Sequence, residues 1–228
     1  MSDRDTESRG GRDSESRSDR DDAARTDRVV AGAALFNEGH HLAARSVWEA
    51  ALATSSDTGD EDAERLFRGL AAVATATHRA ADGDPDGAAE RAADAVAALA
   101  SVSDSRGVGL GPVREWAERL AAAPKKAAAA TAPRIRIDDA TPAFDDLSLA
   151  AAGVAAPALA RAGEPGDPDA LATAAEFARE ERGTGRTEFA ELLFAYLRTP
   201  DARPQVAARL GDHVDREARK RRDVDGLF

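Results

Sequence analysis

The chain has no cysteine, one methionine, three lysines and few aromatic residues, about 4% of 228 positions. Each shortage excludes something. Without cysteine there is no disulfide framework and no thiolate metal site. No run reaches the roughly 18 apolar residues of a membrane span, and the first residues lack the apolar core of a secretion signal. A cytoplasmic protein with no membrane contact is expected. The glycine-rich stretch Gly-Val-Gly-Leu-Gly-Pro at 107–112 follows no strand and lacks the lysine of a phosphate loop, so it reads as a plain loop. No cofactor or metal is implied.

Alanine, arginine and acid are what the sequence has instead. The formal net charge is −11, and the basic side is almost all arginine, since only Lys125, Lys126 and Lys220 are lysines. An excess of carboxylate holds water and keeps a chain dispersed where salt screens repulsion. This balance points to a protein of a salt-accumulating organism, its acidity describing the solvent more than a partner.

Periodicity makes the chain mainly α. Residues 1–24 mix Arg, Asp, Glu, Ser and Gly with almost nothing to bury, which predicts a disordered charged tail. From 25 the pattern is helical. Val29, Val30, Ala33, Ala34 and Phe36 mark the buried side of a first helix, with Gly39 as its stop. A second helix spans 40–54. One of its faces carries Leu42, Arg45, Glu49 and Leu52, and a neighbouring face carries Ala44, Val47, Trp48 and Ala51. A third spans 60–82, with Leu66, Leu70, Val73 and Thr77 as a core stripe. A fourth starts at Asp84-Pro85-Asp86, cap, first helical residue and dipole partner in order. A fifth follows Gly111-Pro112. These five make a bundle over 25–123. An Ala/Pro/Lys linker is expected at 124–133, then a smaller helical region over 134–228. There "RIRID" at 134–138 alternates like a strand and pairs with 146–150 as a short hairpin. Asp167-Pro168-Asp169 repeats the capping pattern. Phe189, Leu192, Leu193, Tyr196 and Leu197 form an apolar face, and a last helix over 202–221 turns Val206, Leu210 and Val214 inward.

Phe36-Asn37-x-Gly39, then Trp48-Glu49, then Leu66, Gly69, Leu70, His78, Gly87 and Ala88 at consistent spacing resemble domain of unknown function family 309, an uncharacterised all-helical family. The resemblance covers about residues 27–228, in the longer form found in salt-loving organisms. The departures bear on chemistry. His41 stands where the family pattern has an aromatic residue, Arg45-Ser46 where it has His-acidic, and Leu52 where it has a second Trp. A His and Glu at i and i+4 could shuttle a proton or hold a divalent metal. Arg45 can do neither, but it can pair with Glu49. The resemblance therefore implies that a charge pair persists here while any acid–base or metal chemistry is lost or altered.

The candidate site residues follow. Asn37, Arg45, Glu49 and His78 are expected as a polar network, the ion pair buried or half-buried against the third helix with Phe36 and Trp48 around it. Glu49 and His78 are also the candidates for a hydrolase-like pocket. Gly69, costly inside a helix by about 1 kcal/mol, is expected to admit another helix closely. His40-His41 diverge at a helix start and lack a third ligand, and His213–Glu217 reads as an exposed helix pair. Arg216, Arg219, Lys220, Arg221 and Arg222 form the one concentrated basic patch. It complements a helix C-terminus and is the place where RNA phosphates would bind, though no interleaved aromatics offer base stacking. The leading expectation is a non-catalytic scaffold or interaction protein with a protein partner. The hydrolase-like enzyme and the RNA binder are the alternatives, and oligomeric state is left open.

The acidity has a direct test. If carboxylate repulsion opposes folding, the melting temperature should climb as potassium chloride is raised from about 0.1 M to above 1 M, because screening shortens the reach of like charges. A melting temperature that is flat or falls over that range would refute the halophilic reading.

Overall fold

In a computed structural model, residues 7–56, 59–127, 129–183, 185 and 187–225 are described, with backbone alone at 7–20, 56, 224 and 225. Among the described residues the fold is mainly α, with ten helices and no sheet. The helices are α1 (Glu7–Asn37), α2 (His41–Ser56), α3 (Glu61–Ala81), α4 (Pro85–Ala100), α5 (Leu110–Ala122), α6 (Pro124–Ala127), α7 (Leu149–Arg161), α8 (Pro168–Glu180), α9 (Glu188–Arg198) and α10 (Arg203–Asp225).

The caps follow the sequence logic. The side chain of Asp60 accepts the Ala63 N–H at 3.0 Å, and that of Asp84 accepts the Gly87 N–H at 2.9 Å. Pro85 and Pro168 open their helices. Gly39, at φ +86°, turns α1 into α2 in a conformation that costs glycine little. Each cap satisfies an N–H that the helix itself cannot.

α3 is the central member of the N-terminal layer. α2 packs on one side of it and α4 on the other, with no packed interface between α2 and α4. Leu66, Leu70, Val73 and Thr77 are all buried. On α2 the buried face is that of Ala44, Val47, Trp48 and Ala51, while Leu42 is exposed. Two glycines set the spacing. A Cβ on Gly69 would lie 2.4 Å from Leu99 of α4, and one on Gly32 would lie 2.2 Å from the Trp48 indole. Both side chains are fully buried, so those helices meet at distances only glycine allows.

Two expectations need correction. The tail was expected to be disordered through residue 24; residues 1–6 lie outside the described residues, but from Glu7 the chain is the opening of α1. Extending an existing helix requires no new nucleus, and i,i+3 pairs such as Arg25–Asp22 at 2.7 Å give local support. Residues 21–24 are exposed, as their composition implies. The hairpin does not form. Ile137 bridges Val108 and Ala140, while 146–150 enters a 3-10 turn and then α7. Ile135 and Ile137 are spent on burial against the bundle instead. The bundle and the C-terminal region share one core. α7 packs on α1 and α2, and one cluster of buried residues runs from Val29 to Val214. The Ser148 hydroxyl, which caps α7, also donates to Asp27 of α1 at 2.9 Å. Within the expected linker α6 forms and Ala127 is buried.

The close approach at Gly69 sets the sign of a substitution. Gly69→Ala gains up to about 1 kcal/mol of helix propensity but forces a methyl into Leu99, an overpacking that costs about 1–3 kcal/mol. A net loss of up to about 2 kcal/mol is expected from denaturant melts. Gly211→Ala in α10, where a Cβ would meet nothing within 4 Å, should be neutral or stabilising by up to about 1 kcal/mol. Equal effects at the two sites would refute the packing account.

Candidate functional site

Because α2 and α4 flank α3 without packing on each other, the outer stripe of α3 is the floor of a groove with a volume of about 740 Å3. α3 contributes Arg65, Arg68, Ala72, Thr75 and Arg79, and the nearly buried Ala71 deepens the floor. α2 adds Arg45, Glu49 and Leu52. α4 adds Arg91, Asp94, Ala97, Ala98 and Ser101. The lining thus holds five arginines and two carboxylates in a chain of net charge −11.

The arginines are half-exposed and tethered locally. Arg45 Nε donates to Glu49 at 2.8 Å, Arg91 to Asp94 at 2.9 Å and Arg65 to Asp62 at 3.3 Å, with Glu61 also on Arg65. The contacts of Arg68 to Glu64 and of Arg79 to Asp84 are at the 3.5 Å limit. Most of these are i,i+3 or i,i+4 surface pairs, each contributing about 0.3–0.5 kcal/mol. A guanidinium carries five N–H donors, so each fork keeps donors beyond its local carboxylate. A ligand carboxylate or phosphate could displace or join those partners at small cost. Among the described residues the lining has no histidine, cysteine or lysine, and the Thr75 hydroxyl is committed to the Ala71 carbonyl at 2.8 Å. The groove is equipped to bind anions and poorly equipped for proton transfer.

The expected polar network is not assembled in one place. The Arg45–Glu49 pair exists, but its side chains are 42% and 49% exposed and it lines the groove without being enclosed in the core. His78 pairs with Asp82 at 3.2 Å and lines a separate cavity of about 160 Å3 with His40, His41 and Glu164. Asn37 is a clasp. Its amide donates to the Ile135 and Pro142 carbonyls, both at 3.0 Å, and its oxygen accepts the Ile135 N–H at 2.7 Å. All of its principal hydrogen-bonding capacity goes to fixing the segment after α6. It faces a third cavity, about 300 Å3, beside Phe36, His41, Thr77 and Trp116. Thr77 is satisfied on both sides, receiving the Trp116 indole N–H at 3.0 Å and donating to Val73.

The C-terminal basic patch is laced with acid. Arg221 reaches Glu180 at 2.6 Å and Glu217 at 3.3 Å, and its guanidinium lies 3.9 Å from the Phe177 ring centre. Lys220 is 3.7 Å from Glu217. Arg219 and Arg222 donate back to carbonyls of α10, and Arg216 lines a shallow cleft with Glu188, Glu191 and His213. Among the described residues no three His, Cys, Asp or Glu side chains are placed to hold a metal.

Sequence reasoning passed over Arg65, Arg68 and Arg79, which lie off the buried stripe of α3, where helix residues are ordinarily solvated. The available signal was their 3-4-3-4 spacing with Ala72 and Thr75, which makes one continuous seam. It also missed Arg203, almost fully buried at the start of α10, which binds the Tyr196 carbonyl at 3.1 Å and Glu164 at 2.7 Å. A cation at a helix N-terminus opposes the macrodipole, and that conflict was its signal.

No family model, curated protein or solved structure matches the chain. The resemblance to the uncharacterised helical family therefore rests on its motif residues, of which Phe36, Gly69 and Trp48 serve packing and Asn37 serves the clasp.

The two histidines at the entrance of α2 give a pH dependence. Burial, helped by the nearby His78 and His40, lowers His41 from 6.5 to about 4. Burial and Arg203 also lower His40. The unfolded chain therefore binds more protons below pH 6.5 than the folded one. Stability is intact above 6.5 and declines as pH falls toward about 4. Melting temperatures should drop between pH 6.5 and about 5, before most carboxylates titrate. His41→Phe, which places an aromatic residue beside Phe36, should reduce that slope; an unchanged slope would show that His41 is not its source.

Proposed function

We propose that this chain is a non-catalytic interaction protein that binds an anionic partner in the groove between α2, α3 and α4. The observation that carries the reading is the concentration of five half-exposed arginines over an alanine floor in an otherwise strongly acidic chain. Arginine forks match carboxylates and phosphates in a bidentate fashion. The exposed Arg45–Glu49 pair then belongs to a binding surface, and its position at the substituted family motif fits a binding role where acid–base chemistry is lost. Membership of the uncharacterised helical family and the salt-adapted, cytoplasmic setting are part of the same proposal.

The alternatives have less support. A hydrolase-like site would need Glu49 and His78 on one cavity, and they line different ones. An RNA site at 216–222 would gain from aromatic side chains for base stacking, and none is interleaved with these cations.

A fluorescent poly-L-glutamate tests the reading. At low salt it should bind, and Arg68→Glu with Arg91→Glu should weaken it by about tenfold or more, roughly 1.4 kcal/mol. Arg219→Glu with Arg222→Glu should change little. Loss on the C-terminal reversal with no effect at the groove would overturn the assignment.

A further inference from the structure

We infer that the occupant of the groove is a single amphipathic helix with acidic flanks, supplied by a partner protein. This deepens the proposed function and rests on it. The groove has the shape of a vacant helix position. α3 lies between α2 and α4, which do not close over it. Each wall presents residues at helical-seam spacing. On α3 these are Arg65, Arg68, Ala72, Thr75 and Arg79, at i, i+3, i+7, i+10 and i+14. On α4, Arg91, Asp94, Ala98 and Ser101 repeat the same intervals, and on α2 Arg45, Glu49 and Leu52 stand at i, i+4 and i+7. Three seams with that period are what a fourth helix meets when it completes a bundle. The stripe on α3 runs 14 residues, about 21 Å of helix.

The side-chain types choose among occupants. The middle of the floor is small and apolar, through Ala71, Ala72 and Ala98, so a helix can approach closely along its own apolar stripe. The arginines lie toward the ends and rims, where the flanks of that helix would pass. Their carboxylate partners are mostly neighbours on the same helix, so acidic flanks can share or replace them without uncovering a buried charge. A second copy of this groove would bring arginine against arginine and does not fit. A nucleic acid would satisfy the arginines but would leave the alanine floor without an apolar partner.

The test uses the full chain and three synthetic peptides of about 18 residues, long enough to cover the stripe. The first has Leu and Ala at seam positions with Glu on both flanks. The second has the same composition with two central prolines. The third has Lys in place of Glu. A single-stranded RNA oligonucleotide of similar charge is the fourth probe. The Glu peptide should gain helicity on binding and bind at least about tenfold more tightly than the proline peptide. Arg68→Glu with Arg91→Glu should weaken it and strengthen the Lys peptide. Circular dichroism melts of the variant check that it folds, and both positions are half-exposed. If the Glu and proline peptides bind alike, or RNA outcompetes both at the groove, the helix inference falls while anion binding at the groove stands. If no probe responds to the groove reversal while the variant remains folded, both the inference and the proposed function fall.

Discussion

With no side chain at Gly69, Leu99 of α4 comes down onto the backbone of α3, and that contact fixes where α4 can lie. The same device recurs at Gly32, where the Trp48 indole of α2 meets the backbone of α1. Both are placements of large, fully buried side chains against glycine. Each draws its own pair of helices together on the core side, and the outer stripe of α3 lies uncovered between α2 and α4. Alanine lines the groove because alanine dominates these helices, and its arginines project because the stripe is too shallow to bury them.

Electrostatics separates the interior from the groove. In the interior, charge is held tightly. Arg203 is enclosed against Glu164 and backbone carbonyls, where removing one partner would strand the other. In the groove, charge is held loosely by pairs on the helix surface. The first arrangement ties the start of α10 to α9 and to the turn after α7; the second leaves donors for a ligand. In molar salt the Debye length shrinks to about 3 Å, so charge attraction at a distance contributes little. Binding under those conditions needs direct hydrogen bonds and covered apolar surface, and the groove offers both.

Much of the fold was legible because helix signals here are local. Asp84-Pro85, Asp167-Pro168 and Gly39 mark boundaries through backbone chemistry that does not depend on distant residues. The stripe Leu66, Leu70, Val73 and Thr77 identifies a buried face by spacing alone. The hairpin misled because alternation in "RIRID" satisfies a strand pattern, while Ile135, held by the Asn37 clasp, and Ile137, bridged to Val108 and Ala140, are in fact buried in the core. The junction of the halves was invisible because α1 and α7 are more than a hundred residues apart and both are alanine-rich. The site was half legible. Arg45 and Glu49 were singled out correctly as a pair, but which α2 face looks inward depended on Trp48 finding Gly32. Nothing in one sequence reveals that helices 2 and 4 leave a gap.

The central claim is that the groove arginines, and no other cations, receive the partner. Side-chain Nε–Hε nuclear magnetic resonance of arginine measures this residue by residue. On titration with an acidic helical peptide, the signals of Arg45, Arg65, Arg68, Arg79 and Arg91 should shift together and become protected from water exchange. Arg203 and Arg114, the latter held on the Leu99 and Val102 carbonyls, should stay still. Shifts confined to Arg216, Arg219, Arg221 and Arg222, with the groove signals unmoved, would contradict the account.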